Sequence, residues 1–399
     1  MADADIIVIG GGISGASFAF HAAKAGRSVR LLEREGRVGG CLHTHRVEGG
    51  FWVELGAHTA YNSYRGLLAM LEERGALGEV LAREKAPFRL MCDGQVRRIG
   101  QELRVLELLA SAPRILWAKK AGRTVREYYG GLVGARNYQR VFGPLFAAVP
   151  SQPADDFPAE MLFKSRKRRK DIARSFTLRG GLSTAVETAV KGPGIAVESG
   201  VEVVAVRRGS GGFVVTAGGR ELSARNVALA VPPPAAAKLL AASFPELAVP
   251  LAGLRSATVE TVGVVVRKEA LQLERVAGLI PLDGNFFSAV SRDPLTDATY
   301  RGFAFHFKPG GSQASRLEVI AGVLGVAQAK LEHVAERQVV LPSPVLGHAE
   351  TVAALDKVLT GTGLFLTGNY FDGLSIEDCV SRSAREVERL LAEAATSGQ

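Results

Sequence analysis

Three glycines and one carboxylate near the start of the chain, Gly10, Gly12, Gly15 and Glu33, have the types and spacing that hold a dinucleotide. In Gly10-x-Gly12-x-x-Gly15 the first glycine makes a tight turn, the second lets the main chain approach a pyrophosphate, and the third lets helix and strand pack closely. The helix opening at Ile13 and Ser14 aims its N-terminal amides at the phosphates. Glu33 ends the next predicted strand, where a carboxylate accepts hydrogen bonds from ribose hydroxyls and repels a 2′-phosphate, so NADP is disfavoured. These residues alone leave open a nicotinamide that visits or a flavin that stays.

Such groups need a βαβ unit beneath them, and the sequence supplies one. Ile6 to Ile9 is a short apolar run of the kind buried in a parallel sheet, Ala16 to Ala25 is a helix-forming stretch closed by Gly26, and Val29 to Leu32 is the second strand. Further along, residues 64–78 predict an amphipathic helix, and residues 88–99 a hairpin turning at Asp93-Gly94. Residues 101–175 read as helical, and "VEVVAVRR", "GGFVVTAGG" and "NVALAVPP" as strands. Alternating strands follow over 257–310, a helix over 311–339, and a last strand from Leu364 to Thr367 that feeds a glycine turn and a final helix. The fold class is therefore α/β. A Rossmann-like domain is assembled from 1–80, 176–235 and 340–399, a substrate-side α+β domain from 81–100 and 236–339, and a helical insertion from 101–175.

Composition narrows the partners. The chain of 399 residues carries a formal net charge of +9, which favours anionic partners: lipid headgroups, nucleic acid or an acidic substrate. No nucleic-acid motif accompanies the charge, so nucleic acid is set aside. Three unpaired cysteines argue against a disulfide framework and a zinc site, and fit a reducing compartment. No targeting segment or spanning stretch is read, which predicts a cytoplasmic location. The basic run 164–170 reads as a solvated helix face, or as a contact with anionic lipid on the inner membrane face.

Four further stretches decide the cofactor by resemblance. "EREGRVGGCLHTH", with Arg34, Arg37, Gly39, Gly40 and Cys41, is similar to the second fingerprint of the flavin-dependent amine oxidase superfamily. "ELGAHTAYNSY", with Leu55, Gly56, Ala57 and His58, resembles the segment that runs under the isoalloxazine ring. "RGGLSTAVETAV" resembles the middle glycine-pair segment, which implies a backbone contact to adenine at Val203. "LFLTGNYFDGLSIEDCVSRS", with Gly368, Asn369, Leu374, Ser375 and Ile376, resembles the C-terminal flavin motif, where a helix N-terminus stabilises negative charge on the flavin. The resemblance implies FAD, with no metal.

Within the superfamily, "GNYFDGLSIEDCV" and "LPSPVLGH" resemble the terminal elements of protoporphyrinogen oxidases. That implies hydride removal from a tetrapyrrole-type small molecule to flavin N5, with oxygen or a quinone as final acceptor and no separate catalytic side chain. The sequence departs from that family in places. Phe88 stands where an arginine is usual, with Arg89 one residue away and so on the opposite face of a strand. Pro344 replaces a tyrosine, and residues 257–266 lack the lysine that amine oxidases place near N5. The aromatic pair that sandwiches amines in such enzymes is not evident, although Tyr370 and Phe371 lie near its expected place, and His43, His45 and His58 read as structural. Two other functions stay open: a flavin oxidase or desaturase acting on an amine or apolar substrate, and a flavin-bearing scaffold without turnover. The oligomeric state is likewise open.

Overall fold

The computed structural model describes residues 3–396. The opening apolar run forms a strand, Ala4–Ile9, paired in parallel with Val29–Glu33 on one side and with Arg220–Leu229 on the other. Its side chains leave no face for water. Ile6 and Val8 pack beneath helix Ile13–Lys24 and the C-terminal helix Ile376–Thr396, while Ile7 and Ile9 pack beneath helices Pro233–Leu240 and Pro245–Ala252. A continuous apolar strand covered on both faces marks a parallel α/β sheet. Ile195–Ser199 adds to the Val29 edge, Leu364–Leu366 pairs in parallel with the end of Arg220–Leu229, and the meander through Gly212–Ala217 and Val203–Gly209 closes the other edge.

A second seven-stranded sheet runs in the order His333–Pro342, Ser256–Arg267, Tyr300–Phe307, Phe286–Ser291, Gly278–Pro281, Phe88–Cys92, Gln95–Arg97. It is antiparallel except where Gly278–Pro281 meets Phe88–Cys92. The predicted hairpin is present, and Asp93 (φ 52°) and Gly94 (φ 71°) make the left-handed turn that a two-residue hairpin demands. One face of this sheet packs on helix Gln313–Leu324 through Val262, Val264, Phe303 and Phe305.

Several boundaries differ from expectation. The helix predicted over 311–339 stops at Leu324, where Gly325 turns left-handed (φ 66°), and residues 333–342 form an edge strand instead. Helix-forming Ala, Glu, Arg and Gln there yield to ten paired positions against Ser256–Val265. Helix Arg65–Glu73 ends short of Gly78, stopped at Gly75. Residues 236–254, expected with the substrate-side unit, pack on the first sheet. The α-helices of the insertion 101–175 end at Ala148, with one further 3-10 turn at Ala159–Met161; the basic run 164–170 lies in irregular chain, not on a helix.

Candidate functional site

The glycine turn has the geometry its spacing predicts. Gly10 (φ 104°) accepts no side chain, since a Cβ there would fall 2.6 Å from the Ala230 carbonyl oxygen. At Gly15 a Cβ would lie 1.9 Å from the Gly10 oxygen, so only glycine lets the helix sit on the turn. Gly12 precedes the first helical residue, Ile13, with no side chain capping the helix, and a Cβ there would meet only the Gly40 Cα at 3.6 Å. The amides of that first turn therefore face open space flanked by glycine, which is a cradle for an anion.

The second glycine pair closes the cradle. Gly39 donates its amide to the Gly11 oxygen (2.8 Å), and Gly40 (φ 52°) comes so close that a Cβ would lie 2.8 Å from the Gly12 Cα. Glu33 sits at the strand end, its two carboxylate oxygens accepting from the Gly11 amide (2.6 Å) and the Glu35 amide (2.7 Å). This orients the carboxylate at the edge of the turn with lone pairs left for hydroxyl donors. Arg37 donates to the Val38 oxygen at 3.1 Å and stands 2.9 Å from Glu35. Burial pushes the Cys41 thiol up to about 11, a packed and unreactive thiol. The loop before Val203 docks on this corner, with Gly200 and Val201 donating to the Glu35 and Glu33 carbonyls, whereas Arg34 is exposed.

The segment 51–58 crosses the second sheet on the face away from helix Gln313–Leu324. Two glycines permit the contact: a Cβ at Gly263 would strike Leu55, and one at Gly302 would meet Phe51 and Val53. On the same face a polar row runs across three strands, because Thr261 is paired with His306 and His306 with Ser288. Thr261 Oγ1 and His306 Nδ1 are 2.9 Å apart, while His306 Nε2, Ser288 Oγ and His58 Nδ1 are sealed from solvent without a partner. Burial drives His306 down to about 3 and His58 to about 4, so both imidazoles are neutral at pH 7. His43, also driven by burial to about 4, offers no cation either. The sequence offered no signal for His306 or Ser288, since it takes the strand register to bring them beside residues 55–58.

Glu54, just before this segment, ties it to the middle glycine pair by accepting from the Leu182 amide (2.7 Å) and from Thr44 Oγ1 (3.0 Å). Burial raises its carboxyl to about 7. A carboxyl raised above its unfolded value of 4.5 stabilises the fold fully below pH 4.5 and loses that contribution as pH rises through 7. Glu54→Gln should remove this slope, which is on the order of 3 kcal/mol at most. Urea unfolding between pH 5 and pH 8 should therefore show the wild type losing ground to the variant; a constant difference across that range would refute the assignment.

The C-terminal motif is bound to the first helix. Ser383 Oγ donates to the Ser14 carbonyl at 2.8 Å and lies 2.7 Å from Thr367 Oγ1, so strand Leu364–Leu366, the last helix and the glycine turn form one unit. Ser375 caps that helix: its hydroxyl accepts from the Asp378 amide at 3.1 Å and donates to the Asp378 carboxylate at 2.7 Å. A Cβ at Gly368 would strike the Tyr370 ring, and Gly373 (φ 151°) leaves no room beside Asp378. Glu377 caps a second helix by accepting from the Gly66 and Leu67 amides. Lys164 and Arg166 of the basic run turn inward onto Asp378, at 3.2 Å and 2.7 Å. Burial opposes ionisation of Asp378, but the Ser375 hydrogen bond and these two cations outweigh it and hold the carboxyl below its ordinary range.

Tyr370 and Phe371 are buried in the core beneath the first sheet, with Arg382 over the Phe371 ring at 3.8 Å, so they form no aromatic sandwich. Arg89 shares its strand face with Met91, which packs under helix Gln313–Leu324, while Leu90 points the other way toward Val141 and Ala148. Among the described residues no group of His, Cys, Asp and Glu could hold a metal ion.

Residues 8–74 match the NAD(P)-binding Rossmann-like domain, and residues 127–332 match the family described as flavin containing amine oxidoreductase. Among curated proteins, the all-trans-retinol 13,14-reductase of Danio rerio is 45% identical over 56 residues, 14% of this chain and only 9% of that protein. Among solved structures, a protein from Exiguobacterium sp. 255-15, provisionally named a protoporphyrinogen oxidase, superposes with TM-score 0.81 at 18% identity over 98% of this chain and 100% of its own. Cyclohexylamine oxidase from Brevibacterium oxydans IH-35A does so with TM-score 0.71 at 16% identity over 100% of both chains. At such identities the likeness is one of fold. The glycine-walled, uncapped helix start is open where a Cβ would block a diphosphate, and Glu33 stands ready for a ribose. A match running through just over half of the sequence, on a fold whose cradle has room for the cofactor this family carries, makes the chain a member of the flavin containing amine oxidoreductases, FAD-dependent oxidoreductases.

Proposed function

We propose that the chain oxidises a porphyrinogen-type substrate, with oxygen or a quinone as final acceptor. The observation that carries this reading is the junction of the two stretches that resemble protoporphyrinogen oxidases. His348, which ends "LPSPVLGH", places Nε2 2.6 Å from the carbonyl oxygen of Tyr370 in "GNYFDGLSIEDCV". His348 is buried, and burial lowers its pKa, so a neutral imidazole carrying its hydrogen on Nε2 donates that bond. The two elements thus act as one support for the flavin motif.

In this reading the amides of Gly12, Ile13 and Ser14 hold the pyrophosphate, with Gly10, Gly15, Gly39 and Gly40 giving the approach and Arg34, Arg37 and Cys41 alongside. Glu33 holds the ribose, and the main chain at Val203 meets the adenine. Leu55, Gly56, Ala57 and His58 line the ring, while Gly368, Asn369, Leu374, Ser375 and Ile376 meet the ribityl chain and the pyrimidine edge. FAD, when bound, supplies a hydride acceptor at N5. The surrounding protein orients a substrate C–H bond and excludes water. Thr261 lies on the strand where an amine oxidase carries lysine, and Tyr370 and Phe371 are packed in the core.

The test is mixing of protoporphyrinogen or coproporphyrinogen with the FAD-loaded protein, anaerobically with flavin in excess, because a porphyrin forms only after six electrons are removed and each FAD takes two, and then with oxygen or a quinone present to read turnover. Porphyrin fluorescence should rise, and flavin absorbance fall, well above the spontaneous rate. A flavin that photoreduces and reoxidises rapidly yet forms no porphyrin would reject the substrate class; one that fails to reoxidise with oxygen or quinone would indicate a scaffold.

A further inference from the structure

The last helix, Ile376–Thr396, opens on the wrong charge for its task. A helix N-terminus that meets negative charge on a reduced ring works through its positive end, yet the first turn here carries Glu377 and Asp378. Both are buried, at 6% and 7% exposure, so water screens neither. Left alone, the two carboxylates would cancel the advantage of the helix end.

Two cations from a distant part of the chain meet them. Lys164 Nζ lies 3.2 Å from Asp378 Oδ1 and also donates to the Asp372 carbonyl, while Arg166 Nη2 reaches the same carboxylate oxygen at 2.7 Å and donates to the Ser375 hydroxyl at 3.1 Å. Arg166 is also near enough to Glu377 to favour its ionised form. The chain on either side fixes both cations. Upstream, Leu162 belongs to an apolar cluster with Val125, Phe146 and Phe157, and Leu374 of the C-terminal motif packs against that cluster. Downstream, the Arg169 amide donates to the Asn62 oxygen at 2.8 Å, and Asn62 Nδ2 donates to the Arg169 and Ile172 oxygens at 2.8 Å and 3.1 Å. Residues 162–174 thus form a strap that runs from the insertion across the C-terminal motif to the chain just beyond residues 55–58. We propose that Lys164 and Arg166 are positioning residues of the cofactor site, which neutralise Glu377 and Asp378 so that the helix start favours the reduced, negatively charged ring. Two cations against two carboxylates leave the helix amides to set the local sign. This rests on the ring lying at residues 374–376, as in the reading above, and is independent of which substrate is oxidised.

The midpoint potential of the bound flavin, read anaerobically by absorbance against a reference dye, tests this together with the affinity for oxidised FAD. Lys164→Met/Arg166→Met should weaken the binding of reduced FAD about tenfold relative to oxidised FAD, which is a fall of ~30 mV in the two-electron potential. Lys164→Arg/Arg166→Lys keeps both charges and should recover most of that fall. Asp378→Asn should move the potential the other way, changing the same affinity ratio by about twofold to fivefold, and it reads the charge effect even where the double variant fails to fold. The proposal is overturned if the double variant loses affinity for both oxidation states equally, which would make the cations a structural hold on the loop and no more. It is equally overturned if Asp378→Asn lowers the potential or leaves it unchanged. A double variant unaltered in both affinity and potential would overturn the proposal and also remove the ring from this helix.

Discussion

Gly15→Val is expected to yield protein that is purified without its yellow cofactor. The Cβ position at residue 15 lies 1.9 Å from the Gly10 oxygen and 3.2 Å from the Ala230 Cβ, so two rigid backbones and a neighbouring strand would have to separate. The helix whose first-turn amides receive the diphosphate would tilt away from the turn that aligns it. FAD affinity should fall at least about a hundredfold, or ~2.7 kcal/mol. A comparison variant, Gly26→Ala, places its Cβ in open space at a left-handed position (φ 80°). It should lose only about 1 kcal/mol of stability and keep its flavin. Titration of apoprotein with FAD, followed by flavin fluorescence quenching, measures both. Equal affinities for the two variants would remove the basis for placing the diphosphate at this turn.

Arg301→Met is expected to have the largest effect on stability. Arg301 and Asp293 are both buried and meet twice, through Nε to Oδ1 at 2.9 Å and Nη2 to Oδ2 at 2.5 Å. Arg301 also donates to the Leu273 and Glu274 carbonyls, and Asp293 accepts from the Val276 amide at 2.9 Å. This pair therefore closes the irregular loop that leads into Gly278–Pro281. Removing the guanidinium leaves a buried carboxylate without its countercharge and the Leu273 and Glu274 carbonyls without this donor, which costs about 3–5 kcal/mol. Arg301→Met/Asp293→Leu removes the stranded charge as well and should recover part of the loss. Unfolding in urea with saturating FAD reads all three proteins under the same ligand contribution. A single variant within about 1 kcal/mol of wild type would show that the carboxylate finds other partners.

Much of the cofactor half could be read without coordinates because its rules are local. A turn that needs φ above zero, or a backbone contact closer than a Cβ allows, selects glycine, and Gly10, Gly15 and Gly40 each meet such a demand. The strand Ile6–Ile9 and the turn at Asp93-Gly94 follow the same local logic. The edge strand His333–Pro342 does not. Its centre, Ala335 to Gln338, favours helix, and pairing with a distant strand decides otherwise. The basic run 164–170 was equally opaque, since a lysine on the surface and a lysine on Asp378 have the same sequence.

By itself, then, the amino-acid order determined an α/β chain with a diphosphate cradle and a ribose carboxylate, because strand, glycine turn, helix and strand end follow one another in a single continuous segment, and resemblance added a flavin-type C-terminal segment. Only the tertiary structure decided that Thr261, His306 and Ser288 share a face with residues 51–58. It alone decided that Ser383 locks the last helix to Ser14, and that Lys164 and Arg166 reach Asp378. Those outcomes depend on strand register and on which face of a helix finds partners, and both are set by packing between segments far apart in the chain.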